Sequence, residues 1–227
     1  MQEQLEFNPS YSLLTVQLDP GEAIKVEPGA MVAQAGVEMQ TQSSGGFLKG
    51  LKKMAFGGES FFLNTFTAGP QGGWISLAPG IPGDIAWFDV QPNQPVFIQG
   101  GSFLGSTMNI ETDTQFQGMK GLFSGESLFF IHATCPDGVG RVYYNSFGAI
   151  KPMKIQQGQT VTIDTGHVVA FTHGLQYNIG KVGGVKSFLF GGEGLVMHFS
   201  GEGTVWIQTR NVPSLAGAII PFLPPPR

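Results

Sequence analysis

The chain has 227 residues, of which 41% are apolar and only 12% charged, with a formal net charge of −4. That length holds one large domain or two ordinary ones with a sizeable core. The negative balance excludes a general nucleic-acid footprint. The single cysteine, Cys135, excludes an intramolecular disulfide and fits a reducing compartment.

From the N-terminus, MQEQLEFNPSYSLL carries neither a basic region nor a long apolar run, so no signal peptide is expected. No stretch reaches about 18 uninterrupted apolar residues, so no transmembrane helix is expected either. These features predict a cytoplasmic protein, or one peripheral to a membrane. Short runs then follow one another: SFFLNTF, WISLA, PVFIQ, SLFFIHAT, RVYYN, TVTID, HVVAFT, LVMHF and TVWIQT. Each is rich in β-branched or aromatic residues and bounded by Gly, Pro, Asn or Asp, which is the pattern of strands. With 34 glycines and 15 prolines between them, the runs predict an all-β sandwich, jelly roll or barrel.

One phrase occurs three times. GGESFF, SGESLFF and GGEGLVMHF place Glu59, Glu126 and Glu193 at intervals of 67 residues. Ahead of each lies a matching polar turn, strand and glycine: LDPGEAIKVEPGAMVA (18–33), VQPNQPVFIQGGSFLG (90–105) and IQQGQTVTIDTGHVVA (155–170). A glycine- and lysine-containing connector precedes each glutamate, and a closing glycine follows it at Gly73, Gly140 and Gly203. The order predicts three β-modules, over 1–88, 89–153 and 154–212, and a Pro-rich C-terminal tail over 213–227, in which Ile219–Arg227 packs loosely or extends as polyproline II. A β-module of about 65 residues buries little surface alone. Side by side, modules bury their edges, and a closed ring leaves no edge open. The low charge points the same way, because a low-charge monomer is poorly protected against association. A ring-like homo-oligomer is expected.

PGAMVAQ, FLKGLKKMAFGGESFFLNTF and WISLAPGIPGDI together resemble the altered-inheritance-of-mitochondria protein family, and the resemblance covers essentially the whole chain. It implies three tandem modules like the tryptophan RNA-binding attenuator protein, each a short double-stranded β-helix, arranged with pseudo-threefold repetition and short helical connectors. It further implies trimers, with nine modules in one ring. It implies no reaction. Nor does RNA binding carry over from the attenuator protein. Lys53, Lys120 and Lys186 supply one lysine per module in near register, too few to track a phosphate backbone.

The repeated glutamates have two readings. A ring of carboxylates could hold cations or a basic ligand, or each carboxylate could accept backbone N–H bonds in its glycine-rich turn. Triplication favours the turn, because a fixture is needed once per module and a catalytic group seldom is. His132 and His198 fall at nearly matching places, but no H-x-H pair accompanies them, so no cupin-type metal site is expected. Cys135 in HATCPDG reads as a small buried residue. His132 lies three residues away, and on a strand it would point to the opposite face. No P-loop, G-x-S-x-G or dinucleotide fingerprint is present, and no catalytic residue, cofactor or metal is expected.

The connector over 47–56 is the exception among the three. Phe47, Leu48, Leu51 and Met54 recur at helical spacing, with Lys49, Lys52 and Lys53 opposite. It reads either as a helical plug on the module or as a contact with an anionic membrane or a partner groove. The whole predicts a non-catalytic, ring-forming scaffold or partner-binding oligomer. The alternatives are a small-molecule-binding ring with ligand between modules, and a cupin-like metalloenzyme. If the connector meets a membrane, wild-type protein binds anionic liposomes and the triple replacement of Lys49, Lys52 and Lys53 by Glu abolishes binding. Co-sedimentation measures both, and a wild-type protein that stays in solution removes the membrane contact.

Overall fold

The computed structural model describes residues 1–43, 62–116, 129–181 and 195–224. They form 19 strands, one α-helix and three 3-10 turns. The first part carries β1 (Gln2–Glu6), β2 (Leu13–Leu18), β3 (Ala23–Val26), β4 (Met31–Ala35), β5 (Val37–Ser43), β6 (Phe62–Ala68) and β7 (Gly73–Leu77). The middle carries β8 (Ile85–Val90), β9 (Val96–Gln99), β10 (Phe103–Thr107), β11 (Glu111–Phe116), β12 (Phe129–Thr134) and β13 (Gly140–Asn145). The last part carries β14 (Ile150–Ile155), β15 (Thr160–Asp164), β16 (Val168–Thr172), β17 (Leu175–Lys181), β18 (Leu195–Gly201), β19 (Gly203–Gln208) and α1 (Val212–Ile219).

The runs that read as strands in the sequence lie on β6, β7, β9, β12, β13, β15, β16, β18 and β19. Their inward faces alternate as a half-buried strand requires. In β2, Leu14, Val16 and Leu18 are buried, while Leu13, Thr15 and Gln17 are less so.

Every strand pairing is antiparallel. Four sheets result, in the orders β1-β2-β7-β4, β5-β6-β3-β10-β13-β8, β11-β12-β9-β16-β19-β14 and β15-β18-β17. Adding six to each strand number of the second sheet gives the third. Each six-stranded sheet joins two three-stranded halves through one central pair, β3 with β10 in the second sheet and β9 with β16 in the third. The registers match as well: Val26 faces Gly105, and Ile98 faces Ala170. A register shift recurs at the same place in β4, β10 and β16, between Met31 and Ala33, Phe103 and Gly105, and Val168 and Ala170.

The core is three packed clusters that trade residues across the joints. Leu104 and Tyr143 enter the first, beside Leu14, Ile24 and Phe66. Phe103 joins the second, with Ile98 and Ile131. Phe130 joins the third, around Phe171 and Phe199. There Phe171 stacks on Phe97 at 4.9 Å between ring centroids and meets Phe130, Tyr177 and Phe199 edge-on at 5.1–5.3 Å. Such geometry adds to the area buried.

The chain passes from sheet to sheet at one level. The crossovers over 78–84 and 146–149 lie against each other, with Asp84 N–H donating to Gly148 C=O and Ser146 N–H to Asp84 C=O, both at 3.0 Å. Gly83 sits so close to the Ser146 carbonyl that a Cβ would have no room. Thr209 N–H continues the series to Ala149 C=O at 3.1 Å, and Ser12 N–H begins it at Gly83 C=O, also 3.1 Å.

The tail departs from the extended or polyproline II form its prolines suggest. Residues from Val212 to Ile219 are α-helical, and a 3-10 turn follows over Ile220–Phe222. The Asn211 side chain caps the helix by accepting from Ser214 N–H at 2.8 Å, and Pro213 falls in the first turn, where its missing N–H costs nothing.

Phe171→Ala should cost about 3–5 kcal/mol, since it removes a fully buried ring that four aromatic neighbours surround. Urea denaturation followed by tryptophan fluorescence measures it.

Candidate functional site

The sites picked out in the sequence fall unevenly on the structure. Glu59, Glu126, Glu193 and the connector residues Phe47, Leu48, Lys49, Leu51, Lys52, Lys53 and Met54 lie outside the described residues. The histidines are placed. His132 is half-buried, opposite Asp113 on β11 and Phe97 on β9, and its ring stacks on Phe97 at 4.8 Å. Burial holds its pKa below the usual histidine value, with His173 adding to the effect and Asp113 opposing it. His198 pairs through Nδ1 with Thr162 Oγ1 at 2.8 Å. His167 is held between the Gln208 carbonyl and the Asn211 side chain, both at 2.7 Å. Among the described residues no three His, Cys, Asp or Glu side chains come together as a metal site.

Cys135 is 2% exposed. Its Sγ donates to Asp137 C=O at 3.1 Å and accepts from Asn109 Nδ2 at 3.4 Å. It lies on one wall of a cavity of about 470 Å³, with His173 and residues 91–95 on the others.

Two charged groups sit beside the joint between β3 and β10. Lys25 Nζ donates to the carbonyls of Met108 at 3.0 Å and Ile110 at 2.7 Å, and burial lowers its pKa against the opposing pull of Glu111. Glu27 follows β3, with its backbone N–H donating to Leu104 C=O at 3.0 Å. Burial pushes the Glu27 carboxyl up to about 7. A third cluster ties β1 to the second sheet. Glu3 accepts from Arg141 at 2.8 Å and from the Tyr143 hydroxyl at 2.7 Å, while Arg141 Nε bonds Asp89 at 2.7 Å.

The clearest departure from ordinary protein surface is at the two outermost sheets. In β10 and β16 the first four residues are all buried, because β3 and β9 pair with those strands. In β4, which takes the same place beside β7, all five residues are exposed. Met31 is 41% and Val32 58% exposed, whereas Phe103, Leu104, Val168 and Val169 at the matching places are at most 1% exposed. Among the described residues nothing pairs with the outer side of β4, nor with the outer side of β15 at the other end of the chain. β15 is the counterpart of β3 and β9, since it pairs with β18 as they pair with β6 and β12. The two free edges are therefore the two halves of a joint that the chain makes twice within itself. The residues of β4 carry no distinct mark of this, because MVAQA is no more polar than FLGST.

These features define a mostly β protein of several antiparallel sheets. The chain belongs to the mitochondrial biogenesis AIM24 family, whose model matches residues 4–210. It is 30% identical, over 99% of its own length and 92% of the other's, to an uncharacterised protein of Streptococcus pyogenes serotype M6. An X-ray crystal structure of a Streptococcus pyogenes protein from structural genomics matches it with a TM-score of 0.81 at 29% identity, covering 98% of this chain and 99% of that one. Among the described residues no helix is long and apolar enough to cross a membrane.

The raised Glu27 carboxyl makes stability depend on pH. Below the ordinary value of 4.5 the group is protonated whether the chain is folded or not, so its contribution is fully present. As pH rises through about 7 that contribution is lost. Glu27→Gln should leave stability at pH 4 unchanged and raise it at pH 8, by at most about 3 kcal/mol. Urea denaturation at both pH values measures the difference.

Proposed function

We propose that the protein is a non-catalytic scaffold whose copies join head to tail, β15 of one against β4 of the next, into a closed ring. In this reading the chain is three tandem double-stranded β-helix modules, and the joint between copies repeats the joints between modules. The contrast at β4 carries the reading: five exposed residues where the matching strands are buried. Open apolar edges are liabilities that a protein covers or closes, and a heterologous contact that closes makes a ring. Three chains per ring is what the resemblance to the attenuator-protein-like family implies. The single cysteine supports a cytoplasmic location. The basic connector over 47–56 is the surface through which the ring would meet a protein partner or an anionic membrane.

The internal joints set the register of the proposed one. Gly105, Ser106 and Thr107 face Val26, Lys25 and Ile24, and Ala170, Phe171 and Thr172 face Ile98, Phe97 and Val96. By the same offset Ala33, Gln34 and Ala35 of one copy face Ile163, Thr162 and Val161 of the other. A second reading, a small-molecule-binding ring, is favoured by one observation. The cavity of about 470 Å³ beside His173 is large enough for a metabolite and lies where the second and third sheets meet. Native mass spectrometry of protein purified without chelator would show a retained ligand as a repeated added mass.

Val32→Asp tests the ring. In a lone chain Val32 is an exposed residue, and the change should alter stability by no more than about 0.5 kcal/mol. In the ring it places a carboxylate where Leu104 and Val169 are fully buried. The expected result is an oligomer for the wild type and a folded monomer for the variant by native mass spectrometry. A monomeric wild type overturns the ring. So does a variant that assembles like the wild type. Oxidation of the double variant Gln34→Cys, Thr162→Cys should link chains to one another, which checks the register.

A further inference from the structure

Among the described residues, the tail helix has no partner within its own chain. All residues from Val212 to Leu223 are exposed, including Leu215 at 41%, Ile220 at 62% and Phe222 at 87%. None of them carries a charge. An isolated helix of eight residues is marginal in water, and one that is apolar all round belongs in an interior. Its N-terminus is nevertheless fixed, because Asn211 both caps it and bonds His167, just beyond β15.

The crossovers indicate where it goes. After β7 the chain runs over 78–84 into β8, the outer strand of the next sheet; after β13 it runs over 146–149 into β14, the outer strand of the sheet after that. After β19 it leaves in the same way over 209–211 but enters α1 instead. In the head-to-tail joint, the outer position that a further strand would take is already filled by β2 of the next copy, which lies beside β7 as β8 lies beside β13. The tail of one copy is thereby delivered to the start of β2 in the next, at Tyr11 and Ser12.

That place is open. Tyr11 is 74% exposed and Phe7 68%. A cavity of about 280 Å³ lies between Tyr11 and Ser12 on one side and residues 78–83 on the other. Its lining is thus the incoming strand of β2 and the first crossover, the pair that the tail must pass.

We propose that α1 and the turn after it, residues 212–223, clasp the next copy of the chain by packing into this cavity. The clasp rests on the head-to-tail reading and adds a second contact to the strand pairing. It matches an apolar helix that has no partner among the described residues with an unfilled recess lined by Tyr11, Ile81 and two prolines, and involves no charged group on the helix.

Two measurements test the clasp apart from the ring. With Leu215 replaced by photoreactive benzoylphenylalanine, irradiation of rings mixed from isotope-labelled and unlabelled chains should link position 215 of one copy to a peptide containing Tyr11 or residues 78–83 of another. A chain ending at Asn211 loses the helix but keeps the Asn211–His167 bond and both sheet edges. It should still assemble, but dissociate at a protein concentration at least about tenfold higher than the full chain. A cross-link confined to the same copy, or an equal dissociation concentration for the shortened chain, overturns the clasp and leaves the ring standing. Vesicle binding by the full chain that is lost on shortening, with ring stability unchanged, assigns the tail to lipid and overturns it as well. A full-length chain that stays monomeric overturns both.

Discussion

Backbone pairing between β3 and β10, repeated between β9 and β16, is the interaction on which the rest of the molecule depends. Each pair joins two three-stranded halves that would otherwise end in open edges. It also closes the core, since Leu104 and Val169 owe their burial to the strand laid beside them. Antiparallel ladders specify register through the side-chain pattern they bury. The half-sheets carry clean alternation, Ile24 and Val26 inward with Lys25 outward, and a slip by one residue would turn Lys25 into the core. The recurring register shift in β4, β10 and β16 keeps the geometry of the three strands alike.

Charge is used sparingly and placed at junctions. Lys25 spans from β3 to the turn after β10, and Arg141 gathers Glu3, Asp89 and the Tyr143 hydroxyl around itself. A bidentate or networked arginine is the geometry in which partly exposed ion pairs contribute most. The rest of the surface is short of charge, and the apolar exposure is concentrated at β4, the turn over residues 7–11 and the tail. A surface that separates in this way serves contact better than it serves a freely diffusing monomer.

Much of the fold was legible in the sequence, because β-branched and aromatic runs between glycines have few alternatives. Several strands were not singled out, β2 and β8 as well as β1 and β14. β1, QEQLE, is too polar to announce itself and is held by pairing with β2. β14, IKPMKI, contains Pro152, which an edge strand tolerates on the side that makes no bond. The helix over Val212–Ile219 was not read from the sequence, although Asn211 offers a good cap ahead of it. The unpaired edges were beyond sequence reasoning for a different reason. The aligned blocks over 18–33, 90–105 and 155–170 contain the three matching strands, but exposure depends on what lies beside a strand, and the residues themselves are alike. The three glutamates and the basic connector, which the sequence marks most clearly, fall outside the described residues.

The joining of distant segments also bears on synthesis. Val26 meets Gly105, 79 residues further along, and Ile98 meets Ala170 after another 72. Contacts so far apart in the chain form slowly, and domains emerge from the ribosome at roughly 5–20 residues per second. For several seconds a nascent chain therefore holds β3 with its partner still unmade. Neighbouring ribosomes on one message present the same strand at the same time. The open edge of β3 is, during translation, a route to mispairing between unfinished chains, and the yield of correctly joined protein should depend on how quickly β10 follows β3 out of the tunnel.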